Sequence, residues 1–252
     1  MSFSREWLDL REPADRAARD PGLLAAAATF LSEAPFALDL GCGTGATARA
    51  FGDAVPGLRW RLFDRDPALL AVAVERVGPR AELVEGDLAD VAGLPLDGVR
   101  LVTASALLDL ASAAWIEALA GRLAAAGIGL YAALSYDGRM AWEPPLPGDA
   151  AAVAAVNAHQ RRDKGFGVAL GPDAADTAAA IFRRHGFEVR TAASPWRLGP
   201  SEAALAAAFV AGVAQAAGEA GMPEAAAWAR ARLAAGGTCM VGHLDLLALP
   251  PG

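Results

Sequence analysis

Ala37-Leu38-Asp39-Leu40-Gly41-Cys42-Gly43-Thr44-Gly45-Ala46-Thr47 decides how this 252-residue chain is read. An apolar run enters a turn with glycine at 41, 43 and 45, and a helical pattern follows. Glycine has no Cβ, so the backbone of such a turn approaches a ligand closely. A helix opening behind it leaves its first N–H groups without intrahelical partners, ready for polar ligand atoms. Asp39 stands two residues before the first glycine, at the carboxyl end of the expected strand.

Working outward, strand-like and helix-like segments alternate. Residues 36–41 form the first strand and 44–53 a helix. Residues 58–63 form a second strand ending at Asp64, and Pro67 opens a helix over 67–77. Residues 81–86 form a third strand ending at Asp87, and 99–104 a fourth ending at Ser105. Ser112 caps a helix with Trp115, Ile116, Leu119 and Leu123 on one face. Residues 127–134 form the fifth strand. This alternation predicts a parallel, doubly wound α/β sheet with helices on both faces. Ligands of such sheets bind at the carboxyl edge of the strands, where the three acids converge.

The flanks are helical or irregular. Residues 3–20 carry Trp7, Leu8 and Leu10 among charges, and Pro13 is expected to start a second helical segment there. Asp20 and Pro21 open an apolar helix over 21–33, which Pro35 ends. After the fifth strand, 136–148 is rich in proline and glycine and reads as loop. Helices are expected over 149–162 and from Pro172 to His185, a sixth strand over 187–191, and helices over 201–218 and 222–235. The last strand spans 238–248.

One domain of residues 1–252 is therefore expected, with an N-terminal helical cap over 1–33 and insertions at 136–171 and 200–236. Apolar residues make up 54% of the chain, enough for a sizeable core. The net charge of −7 argues against nucleic acid or an anionic membrane as partner. Two cysteines, Cys42 and Cys239, exclude a disulfide framework, and the three histidines show no ligand spacing, so no metal is expected. Met1 to Arg11 lacks the apolar run of a secretory signal, and Ala203 to Gly218 reads as too short and weakly apolar to span a bilayer. A cytoplasmic protein is expected.

Gly41, Gly43 and Ala46 fit the dinucleotide pattern G-x-G-x-x-G/A, and an acid at Asp64 suits any ribose. The acid before G-x-G-x-G, Glu85-Gly86-Asp87-Leu88 at the third strand end, and Arg184-His185-Gly186-Phe187-Glu188-Val189 instead resemble class I S-adenosylmethionine (SAM)-dependent methyltransferases. The likeness covers residues 36–135 well and 172–193 and 238–248 loosely. It implies a seven-stranded Rossmann-like sheet, mostly parallel, whose last strand is antiparallel. It also implies SAM as cofactor and a small-molecule acceptor. By the same resemblance, Asp39, Gly41, Cys42 and Gly43 hold the methionine end and Asp64 the ribose hydroxyls. Arg65 flanks the adenine, Asp87 takes its amino group, Leu88 packs on the ring, and Ser105 lies on the sulfonium side. Arg11, in the N-terminal cap, pairs with the cofactor carboxylate. A nicotinamide-dependent oxidoreductase and a non-catalytic binding module are the alternatives.

Methyl transfer is an in-line displacement that needs alignment and dryness more than a catalytic triad. The segment Thr103 to Leu110 lacks the Asn/Asp-Pro-Pro-aromatic motif of enzymes that methylate exocyclic nitrogens. Asp109 and His159 are the candidate groups for orienting or deprotonating an acceptor. Trp142 and Trp196 are candidate walls of its site, and Trp7 lies in the N-terminal cap over the cofactor. An antiparallel last strand is expected to bring Thr238 and Cys239 to the pocket and turn His243 away into the core. Arg16 and Arg19 are expected in solvent.

Overall fold

The computed structural model describes residues 3–251. Helix α1 spans Arg5–Ala18, capped by Ser4, and α2 spans Pro21–Leu31, where Asp20 accepts from the Leu23 N–H. The sheet begins with β1 (Phe36–Leu40), followed by α3 (Ala46–Phe51), β2 (Arg59–Asp64), α4 (Pro67–Val77) and β3 (Ala81–Glu85). Strand β4 (Leu101–Ser105), α5 (Ala113–Ala126) and β5 (Gly129–Glu143) complete the parallel part. Then come α6 (Asp149–Gln160), α7 (Ala174–Arg184), β6 (Glu188–Ala193), β7 (Trp196–Leu198), α8 (Ala203–Glu219), α9 (Ala225–Ala235) and β8 (Thr238–Leu249).

The strand order is β3-β2-β1-β4-β5-β8-β6. Strands β1 to β5 are parallel, and β8 runs antiparallel to β5 and to β6. The expected seven strands and antiparallel end are present. An eighth, the short β7, pairs with the first half of β8. Apolar faces of α5 and α7 cover one side of the sheet around Leu38, Leu40, Ile116, Leu119 and Phe182. Helices α2, α3 and α4 cover the other side around Leu31, Phe51, Trp60 and Tyr131. Burying an apolar side chain of this size contributes about 1.5–3 kcal/mol, and the two layers hold the sheet so that one edge is presented to ligands.

Three local expectations are corrected. Helix α1 passes through Pro13 without a break. Its neighbours pin it from both sides: Glu12 is ion-paired to Arg49 at 2.5 Å, and Asp15 accepts from Trp196 Nε1 at 2.9 Å. Strand β5 does not stop at 134 but runs to Glu143, because β8 supplies a partner as far as Thr238, across two register shifts. The extended ribbon carries a third apolar cluster, with Trp142, Trp196, Val213 and Trp228, under α6, α8 and α9. Finally, one helical turn ahead of α8 makes a continuous helix over Pro200–Glu219, long and apolar enough by length and composition to cross a membrane. Its Leu205, Val210, Val213 and Ala217 are packed into this third cluster.

Candidate active site

The glycine turn leaves β1 at the carboxyl edge of the sheet. Gly41, Gly43 and Gly45 all have positive φ (63°, 52° and 82°), a region costly for residues with a Cβ. A Cβ on Gly43 would stand 3.0 Å from Leu8 of α1, so the turn and the N-terminal helix meet with no room for a side chain. Asp64 ties this turn to its own: Oδ2 accepts from the Gly43 N–H at 2.9 Å and Oδ1 from the Asp66 N–H at 3.0 Å.

A cleft of about 250 Å³ opens over this edge. Gly41, Gly43, Asp64, Arg65, Asp87, Leu88, Ser105 and Arg11 all line it. Asp87 is exposed at the rim and Leu88 half-buried beside it. Two expected residues do not face the cleft. Cys42 is buried in the core and spends its N–H on the Phe63 carbonyl. Asp39 is 1% exposed and stands behind the turn, where Oδ1 accepts from Thr103 Oγ1 at 2.7 Å and Oδ2 has no partner among the described residues. Burial pushes the Asp39 carboxyl up to about 7, opposed by the Thr103 hydrogen bond and by Arg19.

Arg19, expected in solvent, is instead 6% exposed and donates to Ser105 Oγ at 3.0 Å and Thr47 Oγ1 at 3.4 Å. The signal for it was the spacing of Arg11, Asp15 and Arg19, four residues apart and hence on one helical face. Arg16, by contrast, is exposed as expected.

A second cavity, of about 490 Å³, adjoins the first. Phe3, Arg11, Ala106, Leu110 and Lys164 line both. Ala106 follows β4 directly and holds φ of 50°, backbone strain of the kind that clusters at functional sites. The second cavity is walled by Trp7, Met140, Trp196, Phe209, Val213 and Val241, with Asp109, His159 and His243 among the polar groups. Trp196 is therefore a wall, whereas Trp142 is not: it packs on Trp228 at 5.4 Å in the third cluster. Thr238 and Cys239 pair with Glu143 and Trp142 at the far end of the ribbon, away from both cavities. His243 lines the cavity instead, between Tyr136 and Trp196, because the long β5–β8 ribbon carries residue 238 past the sheet edge.

The polar groups of this cavity have distinct environments. Asp109 is 5% exposed; Oδ1 has no partner among the described residues, and Oδ2 lies 3.5 Å from Gln160 Nε2. Burial raises its carboxyl to about 6. Burial lowers His243 to about 4, helped by Arg11, so this ring is neutral at pH 7. Arg11 is itself held by Asp15 at 2.8 Å and lies over the rings of Trp7 and Trp196. His159 contacts Glu219 at 2.9 Å.

Residues 37–126 match a family described as "Methyltransferase domain". A search of curated proteins finds no match. Among solved structures, the chain is similar to TnmH, with 18% identity and a TM-score of 0.51 over 96% of this chain and 56% of that one. It is similar to an O-methyltransferase family protein from Burkholderia thailandensis, with 15% identity and a TM-score of 0.50 over 93% and 56%. Human N-acetylserotonin methyltransferase in complex with SAM gives 16% identity and a TM-score of 0.48 over 96% and 52%. The chain thus spans about half the length of these structures. The segment 37–126, with the glycine turn and the acids Asp39, Asp64 and Asp87, is the part of the chain that is similar to a methyltransferase domain.

Proposed function

We propose that this protein transfers a methyl group from SAM to a small organic acceptor seated in the second cavity. The observation that carries the reading is the continuity of the two cavities through Arg11, Ala106, Leu110 and Lys164. A cofactor cleft that opens into an apolar chamber is what a dry, in-line displacement needs.

The residues present fit the cofactor. Asp39, buried behind the glycine turn with Oδ2 unpartnered among the described residues, favours a cationic amino group held in front of that turn through its charge. A Cβ on Gly41 would meet Leu88 and Leu107 at 3.5 and 3.9 Å, so glycine keeps the floor of the cleft open. Asp64 and Asp87 supply carboxylates for ribose hydroxyls and an adenine amino group, Arg65 flanks that ring, and Arg11 faces the carboxylate. Bound there, SAM supplies a methyl carbon already activated by its sulfonium. Asp109 and His159 act on the acceptor side. Asp109, whose carboxyl burial raises to about 6, faces the acceptor chamber and can orient the acceptor. Trp7, Trp196 and Phe209 exclude water and hold an apolar body.

Calorimetry with SAM and S-adenosylhomocysteine tests the cofactor, and mass spectrometry over a panel of hydroxyl, amine and thiol acceptors tests the transfer. A protein that binds neither compound ends this reading.

A further inference from the structure

The second cavity holds a chain of three side chains from two stretches of the sequence. Lys164, on the loop after α6, is half-buried and lines both cavities. Its Nζ lies 3.3 Å from His159 Nδ1 on α6, and His159 Nε2 lies 2.9 Å from Glu219 Oε2 at the end of α8. A carboxylate only accepts, so Nε2 carries the proton and Nδ1 presents its lone pair to Lys164. Gln215 holds the other Glu219 oxygen at 3.0 Å. The glutamate side chain is 49% exposed and that of His159 13%, so the chain runs from the cavity junction to water.

We propose that Lys164, His159 and Glu219 form a proton relay from the methyl acceptor to solvent, and that the acceptor is therefore methylated at an ionisable, phenol-like hydroxyl. This deepens the methyltransferase reading and rests on it. Lys164, as the free amine, is the group that touches the acceptor. The acceptor O–H bond breaks, its proton goes to Nζ, and the oxygen lone pair forms the bond to the methyl carbon. The C–S bonding pair stays on sulfur, which becomes a neutral thioether. A proton then passes from Nζ to His159 Nδ1, and the Nε2 proton leaves through Glu219 to water. The balance is one proton released per methyl moved.

The surroundings of Lys164 suit this task. Burial holds the amine below its ordinary range, and Arg162 adds to that, while Glu219 and Asp109 oppose it. Arg162 shares its loop, Asp109 faces it from the turn after β4, and Arg11 of α1 lines the same junction. Arg162 Nη2 is engaged with the Glu219 carbonyl at 2.9 Å, which anchors the loop to α8. His159 and Glu219 act through Lys164 and are positioning residues.

The test uses the full-length protein saturated with S-adenosylhomocysteine and para-nitrophenol as the probe, since its absorbance reports ionisation. The wild type is expected to make the bound phenol roughly tenfold more acidic, favouring phenolate. Lys164→Met should abolish this effect while changing S-adenosylhomocysteine affinity by no more than about threefold, the size of a lost rim contact. A bound phenol that ionises equally in Lys164→Met overturns the relay and leaves the methyltransferase reading standing. So does a phenol that fails to bind the saturated wild type. Nitrogen NMR of the ligand-free protein supplies a second measure: His159 should be the Nε2–H tautomer, and Glu219→Gln should move it toward a mixture. A neutral His159 protonated at Nδ1 also overturns the relay. Absence of S-adenosylhomocysteine binding instead removes the methyltransferase reading, and the NMR result still judges the chain of three.

Discussion

Asp39 is 1% exposed, and its carboxyl sits near 7 because burial disfavours the charge. The folded chain therefore holds a proton that the unfolded chain, with an ordinary value of 3.8, gives up. Stability linked to this group is complete below about pH 4 and is lost as pH rises through 7. Asp39→Asn removes that loss. Thermal unfolding of the ligand-free protein should show the variant gaining on wild type between pH 4 and 8 by a few kcal/mol, since each tenfold change in proton affinity is worth about 1.4 kcal/mol. On the proposed function, the same substitution removes a negative charge behind the turn that favours the cofactor's cationic end. SAM affinity of the wild type should rise with pH through about 7, and that of Asp39→Asn should stay lower and flat by calorimetry. Asp64 makes a contrasting case. Both of its oxygens accept backbone N–H groups, so it shapes the turn as well as lining the cleft. Asp64→Ala should weaken SAM about tenfold or more, the worth of a charged hydrogen bond or two. Unchanged affinity would remove it from the ribose contacts. All three acids were legible in the sequence because each falls near the carboxyl end of an expected strand. The burial of Asp39 was not legible, because it depends on Thr103 and Arg19 from distant segments.

Elements were read well where their signals are local. The caps Asp20 and Ser112, each accepting from a backbone N–H of the following turn, start α2 and α5 where the sequence says they should, and α4 begins at Pro67 as expected. Strand β5 was misjudged because Gly138 and Pro144-Pro145 look like loop, and the partner that makes 136–143 a strand lies about a hundred residues later. Pro13 was misjudged for the converse reason. A proline lacks the N–H for one helical bond and crowds the preceding turn, which argues for a break. Ion pairs and the Trp196 contact on both sides of it hold α1 together instead. Relieving this conflict should stabilise the protein. Pro13→Ala is expected to raise the free energy of urea unfolding by about 1–3 kcal/mol. No gain would mean that α1 is strained in some other way or that the proline fits without cost.

At the scale of the whole molecule, the two cavities are built from parts that are far apart in the chain. The sheet edge provides the floor, α1 one wall, the loop at 164–166 another, and α8 with the β5–β8 ribbon encloses the second chamber. The wall α1 is fastened to the ribbon by Asp15–Trp196, to the cofactor-side helices by Glu12–Arg49, and to α4 by Arg76–Asp9 at 2.5 Å. Helix α1 shares no ladder with the sheet, so its stability rests on these contacts and on the ligand it helps to enclose. Binding that bridges floor and wall should therefore tighten α1 and the 164–166 loop more than the sheet, whose core is already packed on both faces. Hydrogen exchange read by mass spectrometry, with and without saturating S-adenosylhomocysteine, checks this. Peptides from residues 5–18 and 160–168 should slow by about tenfold or more, while those from β1 and β4 change little because they exchange slowly in both states. Equal slowing everywhere would mean that the ligand stabilises the fold as one unit. No slowing in α1 would mean that the N-terminal helix is no part of the cofactor's enclosure, and with it Arg11 would lose its place beside the carboxylate.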